Sequence, residues 1–139
     1  MSWLSPHKME DCRGVRFARA VFLGAGIWGV LLLTPMYFTE LMVSPADSPA
    51  QNHPEYFYGF VGVALAWQVA FLIISRDPRR FRALMPAALI EKFSFGLAVL
   101  VLGVYGRVPA SAIGLGLIDL VLGVLFAISY QGLAGRADV

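Results

Sequence analysis

The chain has 139 residues, of which 58% are hydrophobic and 14% charged, and its formal net charge is +2. Ordinary globular domains are about 45–50% apolar and about 25% charged, so a soluble domain of this size would lack the polar groups to coat its surface. The same numbers exclude intrinsic disorder, a charged coiled coil and a conventional nucleic-acid binder, and they point to a membrane protein.

The first apolar block runs from Phe17 to Thr34. It follows Lys8, Arg13, Arg16 and Arg19. A basic stretch before an apolar core also describes a signal peptide. The only Ser-Pro-Ala sites, Ser44–Ala46 and Ser48–Ala50, lie well beyond that core, so the block is read as a retained span. The connection from Pro35 to Tyr56 carries Glu40, Asp47 and Glu55 and no Lys or Arg. Its opening TPMYFTELM is expected to form an interfacial helical turn, and its Pro/Ser/Ala-rich remainder an irregular loop. His53, Glu55 and Asp47 lie close together there, but two or three such residues do not specify a metal site, and a solvated loop is expected.

The second block runs from Phe57 to Ser75, the third from Leu84 to Tyr105 and the fourth from Ala112 to Tyr130. Each block is near the ~20 residues that a helix needs to cross the hydrocarbon core. Inside lipid, backbone amides must be paired within the segment, so helices are expected. Between spans two and three sit Arg76, Arg79, Arg80 and Arg82, in a turn that Pro78 sharpens by disfavouring helix at Asp77. Arg107 alone lies between spans three and four, and Arg136 follows the fourth. Nine of the eleven basic residues thus fall on one side, which predicts cytoplasmic termini. The expected fold is an all-α integral membrane four-helix bundle, up-down-up-down, in one domain, with short loops joining antiparallel neighbours. Aromatic residues at span ends, such as Tyr37, Tyr56, Tyr105 and Tyr130, suit the interfacial belt.

Lipid supplies no hydrophobic drive for helix association, so small residues must allow close packing. The fourth span places Ala112, Gly116, Asp119, Gly123 and Ala127 on one face. The second offers Gly62, Ala66 and Ala70, and the first Ala20 and Gly24 with Ala25 and Gly29 beside them. A weak internal echo links Gly62–Ser75 with Gly116–Ser129, each closing on a serine. Trp28 and Trp67 fall inside spans and are expected to serve as aromatic packing.

Three ionisable residues remain inside the spans, Glu91, Lys92 and Asp119, with Gln68 as a further polar group. An ionised group at the bilayer centre costs at least about 2.5–3.5 kcal/mol, so such residues face the bundle interior or pair. At 1.5 Å per residue, Glu91 and Gln68 sit about 10 Å from the cytoplasmic end and Asp119 about 15 Å. A Lys92–Asp119 pair is possible if spans three and four adjoin, and Lys92 could instead reach for the headgroups. Two acids against one base leave one carboxylate uncompensated, and desolvation is expected to leave a proton on Glu91 or Asp119 at neutral pH. On one reading Gln68, Glu91, Lys92, Ser94 and Asp119 line a polar cavity for a proton, an ion or a small amphiphile. On the other they form a hydrogen-bonded cluster that keeps the helices in register.

Cys12 is the only cysteine, so there is no internal disulfide, CxxC pair or Cys-rich metal site. No phosphate loop, nucleophile elbow or zinc spacing is present, and no cofactor, metal or catalytic residue is expected. The Arg76–Arg82 cluster could hold anionic lipid, although topology already accounts for it. The expected partners are membrane lipids and a second copy or another membrane protein, with no nucleic acid. The expected function is a non-catalytic accessory or interaction subunit with a buried polar cluster; the alternatives are a small proton-coupled transporter using Glu91 or Asp119, and a membrane enzyme that binds a lipid- or quinone-like substrate in the bundle.

The stretches PEYFYGFVGVALAWQ (Pro54–Gln68), RDPRRFRALMPAALIEKFSFG (Arg76–Gly96) and IDLVLGVLFAISY (Ile118–Tyr130) resemble small bacterial four-helix membrane proteins of the DoxX-like kind. The resemblance covers spans two to four, a little over half of the chain. It implies a place in the bacterial cytoplasmic membrane, and the respiratory or sulfur redox chemistry associated with some members. It carries no catalytic motif onto residues of this chain.

Overall fold

A computed structural model describes residues 6–38 and 54–134. Among these residues all regular structure is helical. Helix α1 spans Pro6–Leu33 and continues as a 3-10 turn, Thr34–Phe38. Helix α2 spans Pro54–Arg76. A short 3-10 turn, Arg82–Leu84, leads into α3, Met85–Val104, and α4 spans Ala110–Gly132. All four helices are long and apolar enough to cross a membrane.

Prolines set several of these boundaries. Helix α1 begins well before Phe17, with Pro6 at its first position, where the missing N–H would be unpaired anyway. Pro35 restricts Thr34 and cannot donate, so the α-helix ends at Leu33 and the chain tightens into the 3-10 turn. This turn occupies the start of the expected interfacial helix. The rest of that segment, with Asp47 and His53, lies outside the described residues. Pro54 and Glu55 open α2 and Arg76 closes it, each suiting the helix dipole. The following turn is held by the Phe81 N–H donating to the Asp77 carbonyl (3.1 Å) and the Arg80 N–H to the Asp77 carboxylate (3.2 Å), over a buried Pro78. Helix α3 ends at Val104, and the chain turns away at Gly106, whose φ of 64° is open to glycine at no steric cost. There the N–H groups of Gly106 and Arg107 donate to Gly103 and Leu102, both at 2.9 Å, and satisfy the last carbonyls.

Helix α1 packs along α2, α3 along α4, and α1 also against α4, whereas α2 and α3 scarcely touch. A short connection therefore does not make α2 and α3 packed neighbours, contrary to expectation. Every helix contributes to one core: Phe22 and Ala25 from α1, Phe71 and Ile74 from α2, Met85 and Ala88 from α3, and Phe126 from α4. Phe22 stacks on Phe126 with centroids 4.1 Å apart, and Phe71 meets Phe126 edge-on at 5.0 Å. Ser75 and Ser129, the closing serines of the internal echo, are both buried. Their hydroxyls donate to the carbonyls of Leu72 (2.7 Å) and Leu125 (2.8 Å), so neither is left unpaired. Outward faces carry exposed Leu31, Val63, Ile90, Leu97, Val101 and Val121, a surface suited to lipid and adverse in water.

Close approaches use some of the expected small residues. Gly116 and Gly123 are buried in α4, against Val99 and the Phe93 ring of α3, and Ala112 is half-buried. Gly62 faces the Tyr37 hydroxyl. Of the expected stripes on the first two spans, Ala25 and Gly29 are buried and Gly62 and Ala70 half-buried, whereas Ala20, Gly24 and Ala66 are exposed on this chain. The α2 face turned inward carries Val61, Gln68, Phe71 and Ser75, and Ala66 lies about 200° round the helix from Gln68. The expected Gly29 of α1, with Gly26 beside it, admits Gln68 and Leu72 of α2. The tightest crossing joins Gly96 and Gly116: a Cβ at Gly96 would lie 2.9 Å from the Gly116 carbonyl oxygen and 2.7 Å from Leu120. Since a backbone group cannot rotate away, Gly96→Val is expected to push α3 from α4 and cost about 1–3 kcal/mol. Thermal unfolding in detergent measures this. Gly114→Val, with open space around it, changes helix propensity equally and should show little of the loss.

Candidate functional site

The inward row of α3 runs Met85, Ala88, Lys92, Gly96 and Val99, so a lysine stands in the middle of a buried stripe. Lys92 is only 4% exposed. Its Nζ donates to Asp119 Oδ1 of α4 at 3.0 Å and lies 3.4 Å from Glu91 Oε2. The same ammonium sits 5.3 Å from the centre of the Phe71 ring. Of the two courses open to Lys92, the structure takes the pairing with Asp119 and not the reach to the headgroups. The Gly96–Gly116 crossing explains why, because it draws α3 and α4 close enough for one lysine stem to span the gap.

Glu91 precedes Lys92 and is therefore turned about 100° from it around the helix. Its carboxylate bends toward the ammonium, yet Oε2 is buried and accepts no hydrogen bond among the described residues. Burying such an acceptor without a donor is costly. Ser94, itself exposed, donates from Oγ to the Glu91 carbonyl at 3.1 Å. Gln68 is buried on α2, and its Nε2 donates to the Ala64 carbonyl one turn earlier at 3.0 Å. Its side chain fills the space left by Gly29, where a Cβ would overlap it.

These five residues line one cavity of about 510 Å³. Ion pairs join only Glu91, Lys92 and Asp119, while Gln68 bonds back onto its own helix. The cavity occupies the gap that the weak α2–α3 contact leaves open. Its apolar walls include Trp28 and Met36 from the α1 side, Phe60 and Trp67 from α2, and Ile90 and Phe95 from α3. Phe60 and Phe95 stack across the gap at 5.8 Å. Trp67 does pack on Phe71, at 6.1 Å, but both tryptophans also face the cavity. Sequence reasoning missed Phe60 and Phe95, and no pattern distinguishes a cavity phenylalanine from a lipid-facing one. The aromatic core around Phe22, Phe71 and Phe126 adjoins the cavity through Trp67, which lines it and packs on Phe71.

The volume lies within the roughly 300–1,000 Å³ usual for small-molecule sites, and a mostly apolar lining with a few convergent polar groups is their usual make-up. Among the described residues no three His, Cys, Asp or Glu side chains gather as metal ligands. The chain matches no protein-family model, and no curated protein or solved structure shows significant similarity to it.

Proposed function

We propose that this multi-pass membrane protein, placed in the bacterial cytoplasmic membrane, binds a small amphiphilic molecule in the cavity between α2 and α3. One observation carries the reading: a cavity of about 510 Å³ has aromatic and aliphatic walls, with its charged groups gathered at Glu91, Lys92 and Asp119. A molecule with an apolar body and one polar group meets both. The scant α2–α3 contact supports lateral access from the bilayer. An accessory subunit held together by a structural polar cluster requires no such space, so binding is the stronger of the readings. The DoxX-like resemblance is compatible with it and adds no residue to it.

The orientation belongs to the same proposal. Up-down-up-down helices with cytoplasmic termini agree with the contact of the Arg19 guanidinium with the Arg76 carbonyl (3.1 Å), and of Arg82 with the Tyr130 carbonyl (3.3 Å). These contacts gather basic residues from three helices or turns at one end, in keeping with the positive-inside rule.

Native mass spectrometry of the protein released from detergent tests the binding role. The wild type is expected to carry a single small-molecule adduct. Ala87→Phe fills the cavity from the half-buried wall of α3 without altering a charge, and it should abolish the adduct. An adduct that persists unchanged in Ala87→Phe would place the ligand elsewhere and sink the reading.

A further inference from the structure

We propose that the amphiphile bound in this cavity is a hydrophobic cation, its positive group docked at the Glu91 carboxylate and its apolar body against Trp28 and Trp67. The inference rests on the binding role proposed above and adds the sign of the ligand.

Charge count is the first ground. The ionisable residues lining the cavity are Glu91, Lys92 and Asp119, two acids and one base. Helices α1 and α2 add no charged side chain to the lining, only Gln68 and the indoles of Trp28 and Trp67, so no charge across the gap balances the second carboxylate when it is ionised. A ligand with one positive charge does.

Geometry is the second ground. The ammonium of Lys92 is already engaged by Asp119 at 3.0 Å, by Glu91 at 3.4 Å and by the Phe71 face at 5.3 Å. The Lys92 side chain is 6% exposed, against 18% for Glu91. An entering molecule therefore meets carboxylate before ammonium. Glu91 Oε2 is ion-paired with Lys92 at 3.4 Å but accepts no hydrogen bond among the described residues, so the 18% exposed Glu91 carboxylate keeps acceptor capacity that a ligand can use. A protonated amine supplies both the missing donor and the missing charge, and a charge-assisted hydrogen bond is stronger than a neutral one.

The walls give the third ground. With the positive group at Glu91, the apolar body of the ligand needs aromatic and aliphatic wall, which indole side chains supply in large area. Trp28 and Trp67 face the same space from two helices. An anionic amphiphile of the same shape would find the same walls but would meet the excess carboxylate with its head group.

Three ligands that differ in head group and share one chain separate the outcomes: decylammonium, decanol and decyl sulfate. Saturable binding of each, radiolabelled, is measured on the full chain in non-ionic detergent, with Ala87→Phe as the blank for partitioning into micelles. Decylammonium is expected to bind about thirtyfold or more tightly than either of the others, the scale expected for a desolvated charge pair. Glu91→Gln should bring the cation down to the affinity of decanol. The comparison of the three ligands on the wild type needs no variant, so it decides the sign even if Glu91→Gln does not fold. Equal binding of decanol, or preference for the sulfate, overturns the cation assignment and leaves the binding role standing. If none of the three binds above the Ala87→Phe blank, both fail.

Discussion

Lys92→Met is expected to cost about 3–5 kcal/mol of stability, the most of any single change in the polar cluster. The reason is the count of buried charges. Lys92 is the one base between Glu91 and Asp119, 3.4 and 3.0 Å away. Removing it leaves two largely buried carboxylates, 18% and 17% exposed, with no counter-charge. Methionine keeps most of the stem and its packing, so the loss reports charge and not volume. The same count ranks the other variants. Glu91→Gln removes the acid in excess and leaves Lys92 and Asp119 as a matched pair, so its cost should be the smallest. Asp119→Asn takes away the better-placed partner, whose Oδ1 accepts the Lys92 hydrogen bond, and should fall between the two. The triple replacement Glu91→Gln, Lys92→Met, Asp119→Leu removes every charge and should recover most of what Lys92→Met loses. Thermal unfolding followed by circular dichroism in one detergent gives the ranking. If Glu91→Gln proves as damaging as Lys92→Met, charge balance does not govern the cluster.

This cluster was also the part of the site most legible before any coordinates. Only three ionisable residues fall within the apolar spans, and an isolated charge in hydrocarbon is too costly to go unpartnered. Proximity of Lys92 to Asp119 followed once spans three and four adjoined. The spans themselves were legible for the same reason, because long apolar runs in lipid can only be helices. Which face of each helix turns inward was less legible. Helix α1 carries Ala18, Ala20, Gly24, Ala25, Gly26 and Gly29, small residues on every side, and only some of them are buried. A helix that is apolar all round has no amphipathic direction to betray its buried stripe. Hence Ala66 and Gly24, which suit packing by size, are exposed, while Gly26 is buried against Leu72. The cavity walls were hidden too. Phe60 and Phe95 are as suitable for lipid as for a ligand, and their role appears only because α2 and α3 stay apart.

A second large effect is expected in the aromatic core, where one helix allows a direct comparison of inward and outward faces. Phe126→Ala should cost roughly 3 kcal/mol, the lower end of the range for buried Phe→Ala changes. The lower end applies because the usual gain from removing apolar surface from water is absent between helices in lipid, and the loss comes from packing alone. That packing is dense: Phe126 stacks on Phe22 at 4.1 Å and meets Phe71 edge-on at 5.0 Å. Leu117→Ala on the exposed side of the same helix removes a comparable apolar side chain, but lipid or detergent takes its place, so the change should be near neutral. The difference also reaches the cavity. Phe71 is both the edge partner of Phe126 and the ring beneath the Lys92 ammonium. Phe126→Ala frees that ring on one side, so it should weaken decylammonium binding as well as lower the unfolding temperature. Phe126→Leu, which keeps more of the packed volume, should lose less of both. Equal unfolding temperatures for Phe126→Ala and Leu117→Ala would mean that the four helices are not clamped by this core, and that the cavity beside it owes its shape to other contacts.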